Sequence, residues 1–160
     1  MNTATEATVE AVADLPTIRI VRDFDATPEQ VQRAHTDADL FARWVGPKSR
    51  TVAIERWDAR TGGEYRFSVA GSDGDVQGFR GCFHLIRPGR IVQTFTWEGM
   101  PEGVSLDTLT FEEIDGGRTR LVGTSLVESI ETRDAILRSG MDVGVKEGYA
   151  KLDALLASGA

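Results

Sequence analysis

The last helical run of the chain, roughly 133–157 (RDAILRSGMDVGVKEGYAKLDALLA), places the strongest constraint on the fold. Leu137, Met141, Val145, Tyr149, Leu152 and Leu156 follow one another at steps of three or four, the period of an apolar stripe along an α-helix. Such a helix needs a surface to lie on. Beside the stripe runs a second row, Gly140, Gly144 and Gly148, again at steps of four. A glycine inside a helix costs about 1 kcal/mol relative to alanine, so three cost roughly 3 kcal/mol unless close packing returns it. Two readings are open: the row seats the helix tightly on a sheet, or it leaves room for a ligand between helix and sheet. Both require a curved sheet in front of the helix.

The preceding residues supply strands. Ile18, Ile20 and Phe24 alternate with Arg19, Val21 and Asp23, a first strand that ends at DATPEQ. Thr27, with Pro28 next and Gln30 three residues on, has the signature of a helix start. Thr36 or Asp37 opens a second short helix through Leu40, Phe41 and Trp44, which Gly46-Pro47 stops. From Lys48 to Glu128 six strand patterns alternate with turn residues, as in an antiparallel meander. Their apolar faces hold Tyr65, Phe67 and Val69; then Phe79, Gly81, Phe83 and Leu85; then Ile91, Gln93, Phe95 and Trp97. Gly78, Gly81 and Gly123 mark bulges or bends by which a sheet curls. The expected class is α+β: a curved antiparallel sheet of about seven strands wrapped on a long C-terminal helix, with two short helices after strand one.

At 160 residues the chain suits one domain, expected over residues 16–158, preceded by a mobile tail over residues 1–15. A net charge of −7 argues against phosphate-backbone binding, so no nucleic-acid partner is expected. No apolar run reaches the roughly 18 residues of a membrane span. The opening MNTATEATVEAVADLP has three acids, no basic side chain and no apolar core, unlike a signal peptide, and the expected address is cytoplasmic. Cys82 stands alone in a strand pattern, where a buried inert thiol is expected. No HExxH or CxxC spacing is present, so neither a metal nor another cofactor is expected. Ser125 and Ser139 lack a nucleophile elbow, and the two imidazoles, His35 and His84, have no obvious catalytic partner.

Taken in order, several segments resemble the SRPBCC superfamily, also called START-like or Bet v 1-like, which has the helix-grip fold. They are Ala26-Thr-Pro-Glu29, Asp39-Leu-Phe-Ala-Arg-Trp44 with Gly46-Pro47, Arg60-Thr-Gly-Gly63 before Tyr65, Gly81 before Arg87-Pro-Gly-Arg90-Ile-Val92, Gly116-Gly-Arg-Thr119, and Ser139-Gly-Met-Asp-Val-Gly144 with Tyr149 and Leu152. The nearer likeness, over roughly 16–157, is to the branch related to the Activator of Hsp90 ATPase homologue 1 C-terminal domain. The chain departs from it at Val45 and Val145, where relatives commonly carry bulky aromatics. The resemblance implies a pocket between sheet and final helix, used across the superfamily for hydrophobic molecules, and it implies no single activity.

The pocket candidates are Trp44, Phe67, Phe79, Phe83, Gln93, Phe95, Trp97, Met141, Gly144, Val145 and Tyr149. Each aromatic reads first as core filler and second as a ligand contact, and the Gln93 amide either orients a ligand, makes a structural hydrogen bond or faces solvent. Three functions are carried forward. The first is binding of a small hydrophobic or aromatic ligand without chemistry. The second is a chaperone-related protein interaction, as the family likeness implies. The third is a cyclase- or aromatase-type enzyme using Gln93, Tyr149 or His84. A small hydrophobic ligand is the leading partner and a chaperone the second; a homodimer is admitted.

Overall fold

The computed structural model describes residues 6–159. Strands β1 (Thr8–Ala11) and β2 (Thr17–Phe24) precede helices α1 (Pro28–Thr36) and α2 (Ala38–Trp44). Six strands follow: β3 (Thr51–Trp57), β4 (Glu64–Ala70), β5 (Val76–Arg87), β6 (Arg90–Trp97), β7 (Ser105–Ile114) and β8 (Arg118–Leu126). Helices α3 (Ile130–Arg138) and α4 (Met141–Ala157) close the chain. All eight strands form one antiparallel sheet in the order β1-β2-β8-β7-β6-β5-β4-β3. No described helix is long and apolar enough to cross a membrane.

The helix starts follow the side-chain chemistry at their caps. The Gln30 backbone N–H donates to Thr27 Oγ1 at 3.3 Å while Gln30 Oε1 accepts from the Thr27 N–H at 2.9 Å, a reciprocal capping box with Pro28 just inside. Asp37, rather than Thr36, caps α2 by accepting from the Leu40 N–H at 3.1 Å.

Four expectations are corrected. The segment expected as a mobile tail contributes a strand: β1 pairs with β2 from Thr8↔Val21 to Ala11↔Ile18, giving eight strands instead of about seven. The Arg133 guanidinium holds it there, donating to the carbonyls of Val12 at 2.9 Å and Leu15 at 2.6 Å. Residues 1–5 of that tail lie outside the described residues. The final helical run is two helices, because Gly140 takes φ +84°, a left-handed conformation that ends α3 and lets α4 start in a new direction. Gly140 is therefore not part of a continuous helical row. Cys82 is exposed, since strand alternation turns it outward when Phe83 turns in. Leu85 leaves the inner face of β5 because a bulge between Phe83 and Leu85 resets the register, placing Ile86 opposite the buried Ile91.

The core lies on one face of the sheet, beneath α1, α2 and α4. Phe24, Val31, Phe83, Ile91, Leu121 and Leu152 are sealed from solvent there. At roughly 25 cal/mol per Å² of apolar surface removed from water, these fully buried side chains are each worth about 1.5–3 kcal/mol.

Candidate functional site

Beside this sealed core, the sheet, α2 and α4 enclose a cavity of about 500 Å³. The sequence places apolar groups on all of its walls. Phe41, Trp44, Val45, Gly46 and Pro47 come from α2 and the loop after it. Tyr65, Phe67, Phe79, Phe83 and Phe95 come from β4 to β6, and Met141, Gly144, Val145, Gly148 and Tyr149 from α4.

The aromatic groups are ordered by one another. Phe67 stacks on Phe79 at 5.3 Å between ring centroids, and Phe79 on Phe95 at 5.4 Å, a ladder across three strands. Trp44 stacks on Tyr149 at 5.7 Å and sends its indole N–H to the Ala34 carbonyl at 2.8 Å, which fixes the wall where α2 meets α4. The lip formed by Val45 to Lys48 is tied to α4 as well: the Lys48 N–H donates to Glu147 Oε1 at 3.2 Å, and Lys151 Nζ reaches the Pro47 carbonyl at 3.4 Å.

Ten of the eleven candidates read from the sequence line the cavity: Trp44, Phe67, Phe79, Phe83, Gln93, Phe95, Met141, Gly144, Val145 and Tyr149. Trp44, Phe67, Phe83 and Tyr149 also belong to the hydrophobic core, so packing and lining are one arrangement for them. Trp97 lies outside. It opposes Phe79 and so shares the inner face, but at the end of β6, where it is 44% exposed and its indole N–H donates to Gln77 Oε1 at 2.6 Å. The two helical glycines divide the readings of their row. A Cβ at Gly148 would stand 3.1 Å from the Trp44 carbonyl oxygen, so Gly148 permits a close helix contact. A Cβ at Gly144 would meet only Pro47, at an ordinary 3.7 Å, and Gly144 borders open space.

The polar part of the lining is small and built on a row across the sheet. Phe83 opposes Gln93, Gln93 opposes Asp107, and Asp107 opposes Ser125, so the four side chains share the inner face. Ser125 donates to Asp107 Oδ1 at 2.6 Å. The Tyr65 hydroxyl donates to the Thr94 carbonyl at 2.6 Å and accepts from Gln93 Nε2 at 3.2 Å. Gly81 permits this reach, because a side chain there would collide with both the Thr94 carbonyl and the Tyr65 hydroxyl. Burial pushes the Asp107 carboxyl above the usual carboxylate range, with the Ser125 and Ser105 hydroxyls pulling the other way, and it raises the Tyr65 and Tyr149 phenols too.

Among the polar lining residues that the sequence reading missed are Asp107, His35, Arg50 and Gln77. Asp107 alternates with Leu109 and Phe111 on β7, and that period-two pattern is the signal that places it inside. His35 is buried between Trp44, at 4.8 Å, and Phe111, at 5.2 Å, with Nδ1 donating to the Val31 carbonyl at 2.8 Å. Its Nε2 has no hydrogen-bond partner among the described residues and desolvation pushes its pKa down to about 4, so the ring is neutral at pH 7. His84 is exposed on the other face of β5 and takes no part in the cavity. Among the described residues no group of His, Cys, Asp and Glu is disposed to hold a metal.

A family model described as "Activator of Hsp90 ATPase homolog 1-like protein" matches residues 25–157. The chain belongs to this family. The match covers both short helices, strands β3 to β8 and the final helices, hence almost every cavity wall. No curated protein matches the chain. Among solved structures, a Rhodobacter sphaeroides protein is 27% identical with a TM-score of 0.85, over 94% of this chain and 98% of that one. A Mycobacterium smegmatis protein is 25% identical with a TM-score of 0.84, over 94% and 96%. An Arthrobacter aurescens protein is 26% identical with a TM-score of 0.86, over 96% and 93%. These three proteins share the fold along nearly the whole chain.

Proposed function

We propose that the protein binds a small hydrophobic or aromatic ligand, without chemistry, in the cavity between the sheet and α4. The observation that carries this reading is the cavity itself: about 500 Å³ walled by aromatic and aliphatic side chains with few polar groups. Small-molecule sites have this character and span roughly 300–1,000 Å³. The reading includes the helix-grip arrangement, a concave sheet facing α4, and assigns the ligand-contacting surface to the ten lining candidates. Val45 and Val145, where the family likeness implies bulky aromatics, both lie in the lining and leave it wider there.

The test is titration with the neutral fluorophore N-phenyl-1-naphthylamine. Its emission is expected to rise on binding the wild type, and Val145→Trp, which projects an indole into the space, is expected to abolish the rise at unchanged melting temperature. Equal binding by the two proteins would sink the cavity reading.

A second reading, regulation of a chaperone, is favoured by the printed description of the matching family. Addition of the purified protein to Hsp90 is expected to raise its ATPase rate on this reading, and an unchanged rate counts against it. The enzymic reading loses His84, which is exposed on the outer face.

A further inference from the structure

Resting on the cavity reading, we infer that the ligand is an organic cation, an apolar body carrying one protonated amine, whose ammonium group sits between Asp107 and Gln93. The polar row ends in acceptors. Asp107 keeps one oxygen on the Ser125 hydroxyl, which donates to Oδ1 at 2.6 Å. No basic side chain among the described residues pairs with it; the Arg22 guanidinium on the inner face is committed to Asp153 through both of its terminal nitrogens, and Arg50, which lines the cavity, pairs with Asp75 at 3.5 Å. A carboxyl facing an apolar cavity without a counter-charge is costly to ionise, and a ligand cation removes that cost.

Gln93 is set to help. The Tyr65 hydroxyl spends its single hydrogen on the Thr94 carbonyl, so the Gln93 atom 3.2 Å from it must be the amide nitrogen. That fixes the amide and leaves Gln93 Oε1 as an acceptor on the strand next to Asp107, its direct partner in the β6–β7 register. Opposed side chains stand about 4.5–5.5 Å apart at Cβ, close enough for one ammonium to donate to both. Phe79 and Phe95 in the lining suit the same guest, because they offer ring faces that attract a cation as well as apolar contact. A ligand carboxylate or phosphate would add a second negative charge beside Asp107, and the chain's net charge of −7 disfavours anions at longer range.

The experiment compares two probes of like shape, 1-naphthylmethylamine and 1-naphthylmethanol, by isothermal titration calorimetry at pH 7. Wild-type protein is expected to bind the amine about tenfold more tightly than the alcohol, the difference of one charge-assisted contact. Asp107→Asn is expected to erase that preference and leave the alcohol's affinity within about twofold of wild type. Equal affinity of the wild type for the two probes, or a preference that survives Asp107→Asn, overturns the cation assignment while binding of the alcohol leaves the cavity reading standing. Failure of both probes to bind overturns the two together. The wild-type comparison decides the matter even if the variant does not fold.

Discussion

Arg22 and Asp153 join the inner face of β2 to α4 by two parallel bonds, Nη1 to Oδ1 at 2.8 Å and Nη2 to Oδ2 at 2.5 Å. The guanidinium also lies 4.7 Å from the centre of the Phe24 ring, and its side chain is only 6% exposed against 33% for Asp153. Removing the acid leaves a buried charge without its partner. Asp153→Ala is expected to cost about 3 kcal/mol, the lower end for a broken buried pair because water reaches the aspartate side. Urea unfolding measures it, and a loss below about 1 kcal/mol would show that the pair does not hold α4 to the sheet.

Gly144 and Gly148 give opposite expectations from one substitution. Gly144→Ala gains helix propensity and meets only Pro47 at ordinary contact distance, so it is expected to stabilise by about 0.5–1 kcal/mol. Gly148→Ala gains the same propensity but presses on the Trp44 carbonyl and the Gly46 backbone, which cannot yield as a side-chain tip would. A net loss of stability is expected there. Thermal unfolding of the two variants checks both; equal gains would mean that α4 is not held close to α2 at Gly148.

Periodicity made most of the architecture legible. Strands β2 to β8, both short helices and the inner faces of β4 and β6 follow from alternation and capping residues that act locally. What escaped depends on partners distant in sequence or on interruptions of a period. β1 is a strand because β2 offers an edge and Arg133, more than a hundred residues on, ties down the turn between them. The bulge after Phe83 exchanges Leu85 for Ile86, a slip that no alternation count contains. Gly140 reads as part of a glycine row in one continuous helix, whereas φ +84° there makes it a helix stop. In the candidate site, aromatic residues announced themselves by type, whereas Asp107 was hidden because an acid in a strand usually faces water. Its alternation with Leu109 and Phe111 outweighs that rule, and the pairing of Asp107 with Gln93 and Ser125 completes the polar row on the inner face.

Asp107 makes the folded protein prefer the protonated carboxyl. Its folded pKa lies above the unfolded value, so the stability it contributes is fully present below the unfolded pKa and is lost as pH rises through the folded one. Asparagine carries no such loss and its carbonyl can still accept from Ser125. Asp107→Asn is therefore expected to be more stable than wild type at pH 8, with the gap closing towards pH 4. Urea midpoints at the two pH values test this, and a gap independent of pH would mean that the carboxyl is well solvated.

His35 works in the opposite direction. An imidazole with a folded pKa of about 4, against 6.5 for the free side chain, takes up its proton more readily in the unfolded chain. Between those values the unfolded state binds more protons, so stability falls as pH falls, by about 3 kcal/mol over the whole interval at 1.36 kcal/mol per pKa unit. His35→Phe keeps a ring between Trp44 and Phe111 and removes the titration. The Val31 carbonyl keeps the helical N–H of residue 35 as its donor, so the substitution leaves it satisfied. Unfolding free energies of wild type and variant across pH 4.5–7 are expected to diverge as the pH drops, with the variant the flatter of the two. Parallel curves would place the acid lability elsewhere, and a wild type insensitive to pH in this window would mean that the histidine is not held neutral in the fold.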